Sequence, residues 1–195
     1  MVWRRLLVRS DSTIADLHRT LQTIMEWHDV YLHHFLIRGK RYGIARIGTW
    51  GFMDWADTVH LEQLNWRLNE KFFYEYNYYD EWQLVIRLEA RLPIDSSKHY
   101  PRCIGGKRAA PPEDCGGAWR FMELKEHYSP FFILDRFVAI LKDPDLDKTR
   151  WDYADELRQL LHWLDVDRFD RRHANRRLRE LFGKERDTEE TANEG

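Results

Sequence analysis

From Trp82 to Leu92 the chain alternates in period two. Trp82, Leu84, Ile86, Leu88, Ala90 and Leu92 fall on one side and Gln83, Val85, Arg87, Glu89 and Arg91 on the other. Only an extended strand separates neighbours onto opposite faces in this way, and a strand with one apolar face must bury that face. Its backbone needs a partner as well. Lys71–Asn77 lies just upstream, so the two segments are predicted to form an antiparallel hairpin through Asn77–Asp80. On the first strand Phe72, Tyr74 and Tyr76 share a face, with Phe73 opposite and Tyr78 and Tyr79 exposed at the turn.

Other elements follow by the same reasoning. Val2–Arg9 reads as a strand. Ser10-Asp11-Ser12-Thr13 offers helix caps, and Thr13 with Asp16 makes a capping box with Asp in the Glu position. Ile14, Leu17, Leu21, Ile24 and Met25 then recur at helical spacing, predicting one amphipathic helix to about Met25. His33–Ile37 and Arg41–Ile47 are short strands around an Arg38-Gly39-Lys40 turn. Residues 48–69 hold Gly48, Trp50, Gly51, Trp55 and Trp66, an irregular aromatic segment with one strand near Val59–Leu64. Pro101–Gly117 is dense in Pro and Gly and reads as an ordered loop without regular structure. Helices are predicted over Ala118–His127, Pro130–Leu141, Lys148–Leu164 and Asp170–Phe182. Strands followed by helices argue for an α+β fold, an antiparallel sheet with packed helices and a C-terminal helical extension. The expected organisation is a core over 1–142, helices over 143–184 and a disordered acidic tail over 185–195.

Composition then excludes several classes. With 195 residues, about 70% of the unfolded surface can be buried, which suits one domain with a small appendage. An apolar content of 43% rules out a disordered chain. No apolar run reaches the roughly 20 residues of a membrane span, and Arg4 and Arg5 interrupt any signal core. Two cysteines make no disulfide scaffold, so a cytoplasmic location is expected. A net charge of -2 supplies no global attraction to nucleic acid.

A set of motifs carries a resemblance. Trp3-Arg4-Arg5, Leu17-His18, Trp27, Leu32-His33-His34-Phe35, Tyr74-Glu75-Tyr76, Asp80, Trp82, Tyr100-Pro101-Arg102-Cys103, Gly106 and Pro111-Pro112-Glu113-Asp114-Cys115-Gly116-Gly117 occur in order. Together they resemble the plasmid pRiA4b ORF-3-like family from Val2 to about Leu178. The resemblance implies a small α+β fold found on plasmids, transposons and chromosomes, whose members include passenger proteins of insertion elements. Three departures stand out. The first strand is short before Trp3, so either an edge is missing or the start lies upstream. The family's Asp-Phe-Gly-Asp turn is Asn77-Tyr78-Tyr79-Asp80 here. A His often found two residues after the Trp is Leu84. A family site built on that His and the first Asp would be lost in this chain.

Candidate chemistry comes from five groups. His99, Cys103, Cys115 and His127 offer soft ligands for zinc or another divalent ion, but neither Cys has the close partner that zinc sites usually supply, which favours buried thiols and no cofactor. Asp80 with Glu113 and Asp114 can hold an ion or act as acid and base, although Asp114 is better placed to cap the helix that follows. His33 and His34 point to opposite strand faces, one core and one exposed, and His18, on the helix beside Leu17 and Leu21 near the edge of the apolar face, reads as a core or boundary residue bonded to backbone and not as a ligand. Recombinase chemistry lacks parts: Arg9-Ser10 sits among cap residues, and no Tyr follows Tyr153 after the His173-x-x-Arg176 pattern. Finally, Arg168–Lys184 holds six Arg and one Lys against two acids, net +5, with Arg168, Arg172, Arg176 and Arg179 on one stripe that can clamp phosphates, although a solvated face neutralised by Asp165, Asp167 and the Glu-rich tail is the favoured reading of those charges.

The reading that results is a non-enzymatic binding or accessory protein of mobile elements, contacting nucleic acid or a protein partner through the Arg stripe with the Pro/Gly loop near it. One alternative is a metal-dependent hydrolase using Asp80, Glu113, Asp114 and the Cys103/Cys115 pair. Another is a protein-interaction module using the first-strand edge and Tyr78/Tyr79.

Overall fold

The computed structural model of the chain describes residues 1–43, 54–144 and 153–193. Among these it has strands β1 (Trp3–Leu7), β2 (His33–Ile37), β3 (Lys40–Gly43), β4 (Asp54–Trp55), β5 (Lys71–Tyr76), β6 (Trp82–Arg87) and β7 (Arg102–Lys107). Helices are α1 (Ile14–Met25), α2 (Gly117–His127), α3 (Pro130–Leu141), α4 (Ala154–Leu164) and α5 (Arg171–Asn193). The expectations for 44–53 and 145–152 lie outside the described residues. The α+β class holds.

The larger sheet runs β4-β3-β2-β5-β6, antiparallel except for the short β3–β4 pairing. Register aligns apolar faces directly: His33 opposite Tyr76, Phe35 opposite Tyr74, then Tyr76 opposite Trp82 and Tyr74 opposite Leu84. Phe72, Tyr74 and Tyr76 are all buried on that face. Helix α1 covers it with Ile14, Leu17, Leu21, Ile24 and Met25, each buried. Full burial of such side chains stabilises the fold by roughly 1.5–3 kcal/mol apiece. The Thr13–Asp16 capping box forms as predicted, with Asp16 N–H on the Thr13 hydroxyl at 3.0 Å and Thr13 N–H on Asp16 Oδ2 at 2.8 Å. The β2–β3 turn places Arg38 at φ 49° and Gly39 at φ 79°, as a two-residue hairpin matching strand twist requires.

Four segments depart from expectation. Val59–Leu64 is no strand: Leu61–Leu64 is one 3-10 turn, and Thr13 and His60 meet in an isolated bridge. β6 ends at Arg87; its pairing with the upstream segment runs only as far as Leu88, which exchanges hydrogen bonds with Glu70 and Asn69, and Leu92 and Ile94 beyond are exposed. Inside the Pro/Gly segment lies a genuine strand, β7, paired antiparallel with β1. Its glycines admit neighbours. A β-carbon at Gly105 would meet the Trp3 ring at 3.3 Å, and one at Gly106 the Phe169 ring at 2.4 Å. The helical path of α5 continues past Glu185, where a frayed tail was expected, to Asn193.

The C-terminal helices share the core. Leu160, Trp163 and Leu178 are buried in the same cluster as Phe35 and Tyr74. Asn175 clamps the back of β7, accepting the Cys103 N–H and donating to the Cys103 carbonyl, both at 2.8 Å. Among the described residues no helix is long and apolar enough to cross a membrane.

Candidate functional site

The Pro-Pro-Glu-Asp-Cys-Gly-Gly run is a latch closing the β5–β6 hairpin. Trp27 donates its indole N–H to the Pro111 carbonyl at 3.0 Å and stacks on Tyr76. Glu113 is the hub. Its carboxylate accepts the Tyr76 hydroxyl at 2.6 Å, the His28 N–H at 3.1 Å and contacts His28 Nδ1 at 2.7 Å. Its carbonyl accepts the Asn77 amide at 2.9 Å and the Trp82 indole at 3.0 Å. Burial pushes the Glu113 carboxyl up, but the Tyr76 and His28 donors outweigh it and hold it below the ordinary carboxylate range. Asp80 Oδ2 takes the Gly116 N–H at 2.8 Å at the start of α2. The capping role expected of Asp114 therefore falls to Asp80, from another segment. The left-handed turn also forms without glycine, since Asn77 (φ 51°) and Glu81 (φ 51°) adopt it.

Of the predicted hydrolase residues, Asp80, Glu113, Asp114 and Cys115 gather in the latch, whereas Cys103 lies apart on β7. Among the described residues a single group of three metal-capable side chains converges, and it contains none of Asp80, Cys103, Glu113, Asp114 or Cys115. Cys103 is buried beside β1 with its Sγ 3.3 Å from the Gly105 carbonyl. Cys115 sits in the latch, its thiol pushed up to about 11 by burial and by Asp80. His127 packs on Phe132 instead of facing either thiol.

The converging group is His18, Asp29 and His33, whose ligand atoms lie within 4.8 Å of one another. The His18 and His33 rings stack at 3.5 Å with a 6° interplanar angle, and His18 Nε2 is 3.0 Å from Asp29 Oδ1. Both imidazoles are buried. Strand alternation separates His33 from His34 as expected, yet His34 is buried too: Tyr78 covers it, with its hydroxyl 2.7 Å from His34 Nδ1. Tyr79 alone of the turn pair is nearly free of contacts, at 94% exposure.

A cleft of about 440 Å³ opens where α5 meets β7. Arg102, Arg171, Arg172 and Arg179 line it together with His99, Pro101, Cys103, Ile104 and Asn175, and no acidic residue is among them. The predicted stripe is thus divided. Arg172 and Arg179 face the cleft, Arg168 pairs with Asp165 at 3.1 Å, and Arg176 turns to His173 Nδ1 at 2.8 Å. Arg102 and Arg171 were missed, though adjacent basic residues flanking the Pro/Gly segment and opening α5 were their signal. For Asp29 the sequence carries no periodic or motif signal at all.

The family model for plasmid pRiA4b ORF-3-like proteins matches residues 1–177. An uncharacterized protein of Sinorhizobium fredii, y4hQ, is 28% identical over 128 residues, 65% of this chain and 65% of the relative, so the match spans just under two thirds of that protein's length. The crystal structure of MM3350, a protein of unknown function from Methanosarcina mazei Go1, superposes with a TM-score of 0.62 and 29% identity, covering 88% of this chain and 87% of that one.

Proposed function

Because the chain belongs to the plasmid pRiA4b ORF-3-like family, whose relatives above have no known activity, we propose its role from its own chemistry: a binding protein that grips nucleic-acid phosphates in the cleft between α5 and β7. The observation that carries this is the meeting of Arg102, Arg171, Arg172 and Arg179 around one concave surface without an acid. Guanidinium groups match phosphate oxygens in a fork geometry, and each phosphate neutralised releases counterions. Such a role suits an accessory protein of mobile elements in the cytoplasm. Binding of a fluorescent duplex, followed by anisotropy across a salt series, tests it. R172E/R179E should weaken binding at least 10-fold and flatten the salt slope by about 1.8, whereas R176A, outside the cleft, should do neither. Binding that is absent, or insensitive to salt, defeats the reading; capture of inorganic phosphate alone would restrict it to small anions.

A second reading has its own observation. Phe131, Leu134, Val138 and Leu141 recur at helical spacing along α3 and are exposed, as is Trp119 on α2. A stripe of that kind suits a protein partner better than the first-strand edge does. Sedimentation of L134E against the parent protein would register a self-association lost with the stripe.

A further inference from the structure

We propose that His18, Asp29 and His33 bind one first-row divalent transition-metal ion, with zinc as the reference ion. Three separate segments bring the donors together: His18 from the middle of α1, Asp29 from the turn after it and His33 from the first position of β2. Two imidazole nitrogens and a carboxylate are the donor set that zinc, iron(II) and manganese(II) accept in open sites, where protein ligands leave positions for water. The spacing agrees. Bonds of about 2.0–2.1 Å at tetrahedral angles put donor atoms roughly 3.3 Å apart, and His18 Nε2 stands 3.0 Å from Asp29 Oδ1. Coordination requires the parallel rings of His18 and His33 to fan so that both lone pairs reach one centre.

The surrounding hydrogen bonds are those a metal-binding histidine needs. A ligating imidazole is held by a partner on its other nitrogen, which fixes its tautomer and aim. His18 Nδ1 is 2.8 Å from the Tyr74 hydroxyl, which also accepts the Gln22 amide at 2.8 Å. Gln22 Oε1 in turn accepts the Asp29 N–H at 3.0 Å. One chain of contacts therefore positions two of the three donors from behind. Asp29 adopts φ 56°, so its turn is held in a conformation that non-glycine residues seldom take. Its side chain is 35% exposed while that of His18 is 1% exposed, so the cluster reaches solvent through the carboxylate.

The test uses the tag-free full-length chain, stripped with chelator and titrated with zinc and then cobalt(II). The expected result is one ion per chain, visible d–d absorption from cobalt without thiolate charge-transfer bands, and a melting temperature that rises with zinc concentration. D29N should weaken zinc at least 10-fold, and Y74F, which removes only the hydroxyl behind His18, by about 10–100-fold. Absence of saturable uptake up to millimolar zinc overturns the proposal. So does a thiolate band in the parent protein, or affinity that D29N and Y74F leave unchanged. The cobalt spectrum decides even if a variant fails to fold. Neither result bears on duplex binding, which rests on different residues.

Discussion

Gly117 lies so close to Asp80 that a β-carbon on it would stand 2.3 Å from the Asp80 carbonyl oxygen. The same Asp80 receives the Gly116 N–H through its carboxylate, so backbone and side chain of one residue both hold the start of α2. Gly117 further adopts φ 79°. Replacing it with alanine adds a clash with backbone and a strained dihedral at once. G117A should cost about 2–4 kcal/mol in denaturant titration. A loss below about 1 kcal/mol would mean that the latch yields easily.

Acidification should weaken the protein in two stages. Burial lowers His34 below its ordinary 6.5, with Glu75 opposing and Arg41 adding to the effect. The unfolded chain therefore takes up that proton first, and stability falls as pH drops below about 6.5. Glu113 is held below its ordinary 4.5, so its contribution is complete above that value and is lost as pH falls through its lower folded value. Denaturant midpoints measured from pH 7 to pH 3 should decline across both ranges. In E113Q the decline below pH 4.5 should shrink, while the decline near pH 6 persists.

At Gly106 the limiting neighbour is the Phe169 ring, 2.4 Å from where a β-carbon would sit; Arg4 Cδ comes next at 3.1 Å, its guanidinium carbon 3.8 Å from the ring centroid. G106A should push Phe169 away and loosen α5 from β7. About 1–3 kcal/mol is the expected loss, from the usual cost of overpacking. Limited proteolysis should show earlier cleavage between α4 and α5 than in the parent, and unchanged cleavage would refute the packing argument.

The thiols should be slow. With Cys115 raised to about 11 and Cys103 raised by burial, little thiolate exists at pH 8. Native protein should react with a thiol reagent on the order of 100-fold more slowly than unfolded protein, in which free thiols ionise near pH 8.5. A fast-reacting native thiol would contradict the burial described here.

Local elements were legible in the sequence and distant ones were not. The α1 cap, the Arg38-Gly39 turn and the Asn77–Asp80 hairpin follow from neighbours a few residues apart, and all form. β7 stayed hidden because its glycines resemble a loop until Trp3 and Phe169 are brought against them. For the same reason the capping of α2 was assigned to Asp114, the nearer acid, when Asp80 reaches it through space. In the cleft, helical spacing gave Arg172 and Arg179, but the same spacing included Arg168 and Arg176, which nearby Asp165 and His173 turn aside. His18 and His33 could each be placed in an element, yet only the tertiary packing of α1 on β2 stacks their rings.

The pairing of Trp3 with Lys107 has a consequence for how the molecule is made. During synthesis β1 emerges before β7 and cannot find its sheet neighbour until about a hundred further residues have been made. Until then that segment is an unsatisfied ribbon edge exposed to whatever lies nearby. At typical synthesis speeds of roughly 5–20 residues per second the wait lasts about 5–20 seconds, a window in which chaperones or mispairing with a second nascent chain compete for the same edge.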